Sequence, residues 1–455
     1  MDIFLFDEVP DAQPTFIEPS LSYRFATVTS RLSSYIQEWT PFVLVVCYFA
    51  FSISIYMVCN EHILAIFWFI YLALNFYIAA STVLEAFLSL PPIREARRAV
   101  DKAQAKNWTF PTPDNDLPIL DLVIVAYLPN EADIIKNRIH YLCNEIVYPK
   151  HLIRINCVYN TPRPIEPLET ELRDMMRKYE ELRIIEVPNS HSKAENLNFF
   201  FSIKTGADII AIYDCDHYPH PYSPRWAIEC RAAMTGFGLF AGSNGYWRAN
   251  LLREHKMDGT MLTEDIDSTL RAFSKGWNVV HDLNVVSYEL APTSIKAFWK
   301  QRMRWAQGWT QASIRHLVPA WNKSPAERAK RRFGQRFGIF SLLFVRETSY
   351  YLVTQYTCLI FVFLITSFPH SGKELVKLIY FQYAISQWCF FTSVMCLLAT
   401  LYITNIVRNE FTKRRTMILF AVLYPFYLVV IATMGIYAHA RQIVAYSNWN
   451  PTARA

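Results

Sequence analysis

Two carboxylates one residue apart, Asp214 and Asp216, stand directly after the apolar run Ile209-Ile210-Ala211-Ile212-Tyr213. At a strand end such a pair can hold a hard divalent cation, Mg²⁺ or Mn²⁺, through oxygen ligands, and that cation can bridge a diphosphate. Asp-x-Asp also occurs in ordinary surface turns, so the preceding strand is what singles this one out. His217 and His220 follow and could ligate a metal, but Pro219 and Pro221 make the segment a stiff turn, which favours a structural role for both histidines.

Further along, Thr263-Glu264-Asp265 opens a helix-like run. Taken alone it reads as a helix cap with acidic first-turn residues that complement the helix dipole. Gln301-Arg302-Met303-Arg304-Trp305 lies in a basic, Trp-rich stretch, Phe298–Trp309, which alone reads as an amphipathic helix on a membrane surface. Neither reading excludes chemistry at the same residues. Trp305 is either an interfacial anchor or the floor on which an acceptor ring stacks, and its neighbour Arg304 favours the second. Trp299 and Trp309 are assigned to the interface belt. Arg346-Glu347, inside an apolar stretch, marks the entry of a span or lines a polar pathway.

These residues need a rigid frame. Asp121–Ala126, Arg154–Tyr159, Arg183–Val187 and Ile209–Tyr213 are short β-branched or aromatic segments separated by helix-compatible stretches such as Pro167–Glu181. That alternation predicts an α/β domain with an open, doubly wound, mostly parallel sheet. Ligands of such sheets bind beyond the carboxyl ends of the strands, which here means Tyr127–Glu131, Asn160, Asn189–Asn198 and Asp214–Asp216.

The chain has 455 residues, 52% hydrophobic and 15% aromatic with 18% charged, richer in apolar side chains than an ordinary soluble protein. Runs at 42–59 and 62–90 are each long enough for the ~20 residues that a bilayer demands of a helix. Further runs lie at 337–368, 375–405 and 416–440. The formal charge of +6 is clustered at Arg94–Lys106, Lys323–Arg336 and Arg408–Arg415, beside those runs. This is positive-inside flanking, and nucleic acid is not an expected partner. Because basic residues flank the last run at both ends, it is expected to break at Pro425 and to lie at or re-enter the interface, leaving four spans. The nine cysteines are scattered and form no CxxC pair, so neither a disulfide framework nor a zinc site is expected. No removable leader is expected; the first span serves as the targeting signal.

Lys193-Ala-Glu-Asn-Leu-Asn198, Asp214-Cys-Asp216, Phe240-Ala-Gly-Ser-Asn244, Thr263-Glu-Asp265, Gln301-x-x-Arg304-Trp305 and Trp449-x-x-Thr452-x-Arg454 occur in that order. Together they resemble the processive family 2 glycosyltransferases, the group of cellulose, chitin and hyaluronan synthases. The resemblance runs from about Tyr127 to the C-terminus. It implies a GT-A-like cytosolic domain over 91–320, preceded by a cytosolic segment at 1–40 and a helical hairpin at 41–90. Interface helices, further spans and the Trp449–Arg454 segment fill 321–455.

The resemblance also implies roles. Tyr127, Asn130 and Glu131 would surround the uridine of a UDP-sugar donor, with Lys193 and Asn198 also touching the donor. Asp214 would be the nucleotide-side carboxylate and Asp216 the metal ligand under the diphosphate. Asp265 would be the general base, with Glu264 beside the acceptor. Gln301, Arg304 and Trp305 would hold the diphosphate and the acceptor sugar of a growing polysaccharide, Phe240, Gly242 and Ser243 would flank the acceptor, and Thr452 and Arg454 would form a lid. One departure stands out: the family usually has an Asp pair after the second strand, and this chain has Tyr159-Asn160-Thr161. Asn160 can still accept from or donate to a uracil ring. Besides a processive synthase in the bilayer, a transferase adding one sugar to a lipid, and an inactive transporter or scaffold, are the competing readings.

Overall fold

The first strand, β1 (Leu120–Tyr127), is buried along nearly its whole length, as a parallel strand covered on both faces must be. β2 (Ile153–Asn160) and β4 (Ile209–Asp214) flank it in parallel, β3 (Leu182–Glu186) extends β2, and β7 (Gly245–Arg248) closes the far edge antiparallel to β4. The order β3-β2-β1-β4-β7 is the mostly parallel, doubly wound sheet expected from the sequence. The computed structural model describes residues 21–229, 233–235, 238–318, 333–409 and 411–444.

Successive side chains of a strand point to opposite faces, so β1 feeds two cores. Leu120, Leu122, Ile124 and Ala126 pack with α3 (Leu128–Glu145) and α4 (Leu168–Lys178). Val123 and Val125 pack with α5 (Lys193–Ser202) and α7 (Ala249–His255). Both faces are thereby closed, and only the carboxyl ends of the strands remain open. Beyond them, β5 (His217–Pro219) pairs with β9 (Ser287–Glu289), and α6 (Ser223–Glu229) follows β5. A second small ribbon joins β6 (Ala233–Thr235) to β8 (Val280–Asp282). Two helices complete this end, α8 (Glu264–Ser274) and α9 (Ile295–His316).

The apolar runs are helices: α1 (Leu21–Val58), α2 (Glu61–Ala105), α10 (Phe333–Ser367), α11 (Gly372–Tyr380), α12 (Ala384–Val407) and α13 (Arg414–Ile443). Among the described residues, five are long and apolar enough to cross a membrane: Tyr35–Val58 of α1, then α2, α10, α12 and α13. Asn60 caps α2 by accepting from the His62 N–H at 2.9 Å, and α2 continues through Pro91 and Pro92 to Ala105 instead of ending at residue 90.

Two sequence expectations change here. The run at 375–405 is two helices, α11 and α12, and α13 is not broken at Pro425 but passes through it as one helix of 30 residues. Proline deletes one backbone bond, and the neighbouring turns of a long apolar helix hold the rest.

Polar side chains tie these helices together where apolar packing alone gives little direction. Gln355 Nε2 donates to Tyr48 Oη at 2.7 Å and to Ser52 Oγ at 2.9 Å, and its Oε1 accepts from Tyr56 at 2.5 Å. Thr392 Oγ1 donates to Asn75 at 3.0 Å, and Tyr77 meets Ser341 at 2.6 Å. The Tyr350 ring lies flush on Gly435, where an added methyl would overlap it. Gly435→Ala is therefore expected to separate α10 from α13 and to cost roughly 1–3 kcal/mol, as overpacking of a filled interior does. Thermal unfolding in detergent measures it, and an unchanged midpoint would refute the contact.

Candidate active site

At the open ends of the strands lies a cavity of about 500 Å³. It is lined by Tyr127, Asn130, Glu131, Asn160, Lys193, Asp214, Asp216, Gly242, Glu264, Asp265, Gln301, Arg304 and Trp305, and also by Asn196, His217, Glu289, Arg302, Trp309 and Arg346. The strand-end rule thus locates the first group of these residues, and two helices outside the sheet, α8 and α9, bring the rest.

Lys193 sits at the middle. It opens α5, where Ser192 caps the helix by accepting from the Glu195 N–H at 3.1 Å. Its Nζ lies 2.6 Å from Asp214 Oδ1 and 3.9 Å from Glu264 Oε1, and it donates to the Gly242 carbonyl at 2.5 Å. Burial alone would pull this ammonium down, but Asp214 and then Glu264 outweigh it, and the net shift is upward. Lys193 is therefore a fixed cation.

Asp265 is the opposite case. Burial first, then the adjacent Glu264 carboxylate, push it up to about 7, although Lys193 pulls the other way. Gly242 has φ +89, and a Cβ there would come within 3.1 Å of Asp265 Oδ2, so a side chain at this position would be both strained and crowded against the carboxylate.

Asp214 is half-buried, whereas Asp216 is only 2% exposed. Ser243 Oγ accepts from the Asp214 N–H at 3.2 Å and steadies the turn. His217 Nδ1 lies 3.0 Å from Asp216 Oδ1. Ligand atoms of Asp214, Asp216 and His217 fall within 4.8 Å of one another, a set of two hard oxygens and an imidazole that suits Mn²⁺ or Mg²⁺. His217 thus stands beside the carboxylates, where a metal ligand would be, although the proline-rich turn had favoured a structural role for it.

Helix α9 is held against α8 by close approach and by charge. A methyl at Gly308 would overlap Thr263, so only glycine lets α9 come this near. Buried Asp267 accepts from Arg271 Nε at 2.7 Å and lies 2.8 Å from His316 Nε2 on α9. Arg302 stacks 4.5 Å over the Trp305 ring, and Arg346 of α10 stacks 4.3 Å over Trp309. Trp309 therefore lines the cavity instead of serving only as an interface anchor.

Other sequence candidates fall elsewhere. Asn198 is spent on the backbone of Met257, donating to its carbonyl and accepting from its N–H, each at 2.8 Å. Phe240 is buried beneath Gly245 with its ring edge-on to Trp247, and neither it nor Ser243 lines the cavity. Asn160 donates to the Ser190 carbonyl at 2.8 Å and accepts from Asn196 at 2.7 Å. Glu131 Oε2 accepts from the Tyr127 N–H at 2.8 Å, at the start of α3. Thr452 and Arg454 lie outside the described residues.

Residues 225–438 match a family model described as glycosyl transferase family group 2. That segment is similar to the family group 2 glycosyl transferases. A cellulose synthase 1 catalytic subunit [UDP-forming] from Komagataeibacter xylinus is 28% identical, over 27% of this chain and 23% of that protein. A poly-beta-1,6-N-acetyl-D-glucosamine synthase from Staphylococcus epidermidis is 22% identical, over 46% of each chain. The match thus spans from about a quarter to a half of these relatives' own length. Among solved structures, the mannosyltransferase PcManGT from Pyrobaculum calidifontis, in complex with GDP-Man and Mn²⁺, aligns with a TM-score of 0.46 at 15% identity, covering 82% of this chain and 98% of that one.

The cavity residues to which sequence reasoning gave no role are Asn196, Glu289 and Arg302. Asn196 sits inside a quoted motif, but Glu289 and Arg302 reach the cavity only through the packing of β9 and α9 around it.

Proposed function

We propose that this chain is an inverting, metal-dependent hexosyltransferase that passes a sugar from a UDP-sugar to a growing polysaccharide, acts processively, and conducts the product through its membrane helices. The observation that carries this reading is a single cavity into which the end of β1, α5, the end of β4, α8 and α9 deliver Tyr127, Lys193, Asp214 with Asp216, Asp265, and Gln301 with Arg304 and Trp305.

A sugar hydroxyl is a weak nucleophile at neutral pH, so a carboxylate must take its proton as the bond to the anomeric carbon forms. Asp265 is assigned that step, and a group held at about 7 is poised for it. Glu264, beside it, faces the acceptor. Arg304 offers a planar fork of N–H donors to the departing diphosphate, and Lys193 adds a fixed positive charge. A divalent cation held by Asp214, Asp216 and His217 would supply further charge to the same leaving group. A single displacement inverts the anomeric centre, so an α-linked donor gives a β-linked product. Tyr127, Asn130, Glu131 and Asn160 form the end assigned to the uridine.

Asp265→Asn tests the base. Transfer should fall roughly 10²–10⁴-fold with donor affinity kept. In the native enzyme kcat/KM should rise with pH through about 7, and the variant should lose that limb. The sign for stability is opposite. A carboxyl whose folded value lies above its unfolded one favours the folded state least when ionised, so stability falls as pH rises from about 4 through 7. Asp265→Asn should therefore melt higher than the native protein at pH 8. Wild-type transfer by the variant would end the assignment.

For the metal, UDP release should require added Mn²⁺ or Mg²⁺, and Asp216→Ala should abolish it. Release by that variant in excess chelator would exclude the metal role.

The basic clusters assign residues 91–336 and 406–415 to the cytosol. Phe411, just before α13, packs edge-on against Tyr288 of β9 at 5.8 Å, while Met434 and Ala438 near its other end pack on Met303 and Ala306 of α9. Contact with the catalytic domain near both ends supports α13 lying along the interface, with four helices crossing. In intact cells carrying an otherwise cysteine-free protein, an impermeant thiol reagent should label Ser371→Cys but neither Asn409→Cys nor Ile443→Cys. Labelling at 443 would mean that α13 crosses.

A further inference from the structure

Charge of both signs lines the cavity. Lys193 pairs with Asp214 and approaches Glu264, the carboxylates of Asp216, Asp265, Glu131 and Glu289 also line it, and α9 and α10 add Arg302, Arg304 and Arg346. None of these three guanidinium groups is ion-paired to a carboxylate among the described residues. Arg302 and Arg346 are held instead on the rings of Trp305 and Trp309, one helical turn apart on α9. Glu347, the carboxylate next to Arg346 in sequence, is occupied elsewhere: it accepts from Thr310 at 3.2 Å and Ser313 at 3.1 Å and lies 2.5 Å from His439 Nε2.

A guanidinium stacked on indole keeps its N–H edge available for an oxyanion, and such a fork matches a carboxylate in geometry as well as charge. The donor diphosphate accounts for one such group, Arg304. Arg346 lies on the next helix, α10, outside the Gln301–Trp305 segment. Two turns beyond it along α10, Thr354 and Gln355 join Tyr48 and Ser52 in a network of hydroxyls and an amide that is satisfied internally, so it offers no competing partner to Arg346.

We propose that Arg346, stacked on Trp309, is an acceptor-side anion site, and that the acceptor glycan carries carboxylates, as a uronate-containing polysaccharide does. This rests on the transferase reading above. It adds a chemical class for the acceptor and a residue that selects it.

The test compares two oligosaccharide acceptors that differ only in a uronate carboxylate or its reduced alcohol, with a panel of UDP-sugars and Mn²⁺. The native protein should favour the acidic acceptor at least about tenfold in kcat/KM, chiefly through KM, since a charge-assisted hydrogen bond is worth a factor of this order. Arg346→Met should bring that ratio close to one, and Arg346→Lys should keep part of it. A ratio is unaffected by partial loss of folded protein, and direct binding of the acidic oligosaccharide to Arg346→Lys provides a second reading. Equal use of both acceptors by the native protein, or an unchanged ratio in Arg346→Met, would overturn the proposal, as would transfer confined to a polyprenyl phosphate supplied in vesicles. Failure of every UDP-sugar to release UDP would instead defeat the transferase reading itself.

Discussion

Everything at the open end of the sheet depends on one ammonium group among several carboxylates. Asp214, Asp216, Glu264 and Asp265 approach one another closely enough that their mutual repulsion would force them apart or neutralise them. Lys193 bonds to the first, faces the second pair and is itself anchored on the Gly242 carbonyl. It leaves one carboxyl, Asp265, near the point where it can exchange a proton at neutral pH. The acidity of the site is an equilibrium among fixed charges, and a cation at Asp214 and Asp216 would take over part of the load that Lys193 carries.

Fixed charges need fixed walls. Asp214 ends a strand of a sheet packed on both faces and Lys193 opens α5, one of the helices packed on it, but Asp265 and Arg304 come from α8 and α9, outside the sheet. Their register is set by Gly308 against Thr263 and by Asp267 between Arg271 and His316. α9 in turn is backed by α10 and α13, so helices long and apolar enough to cross a membrane buttress the cavity wall. Packing among those helices and geometry at the site are therefore coupled through one helix.

That coupling also explains why the apolar helices carry so many polar side chains. The Tyr48, Ser52, Thr354 and Gln355 network, and Glu347 with His439, are satisfied internally, as buried polar groups in a low-dielectric setting must be. Arg346 differs because its partner is an aromatic face, which holds the group in place without neutralising it.

The sequence by itself determined the sheet, because strand burial and alternation are local patterns: Ile209–Tyr213 reads as a strand and Asp214 as its open end before any contact is known. It determined the apolar helices for the same reason, and the ordered motifs placed Lys193, Asp214, Asp216, Asp265 and Arg304 among the candidates. What only the tertiary structure decided is which of these side chains meet. Asn198 lies in the same motif as Lys193, yet helical rotation turns it to the Met257 backbone. Glu289 carries no motif and Arg346 stood out only as a charge in an apolar stretch, yet chain crossings bring both to the cavity. Pro425 signalled a break, and the turns on either side of it kept the helix whole. Local patterns record which face of an element is apolar, but distances between residues far apart in the chain are set by how those faces close on one another, and that information is spread over every residue in the core.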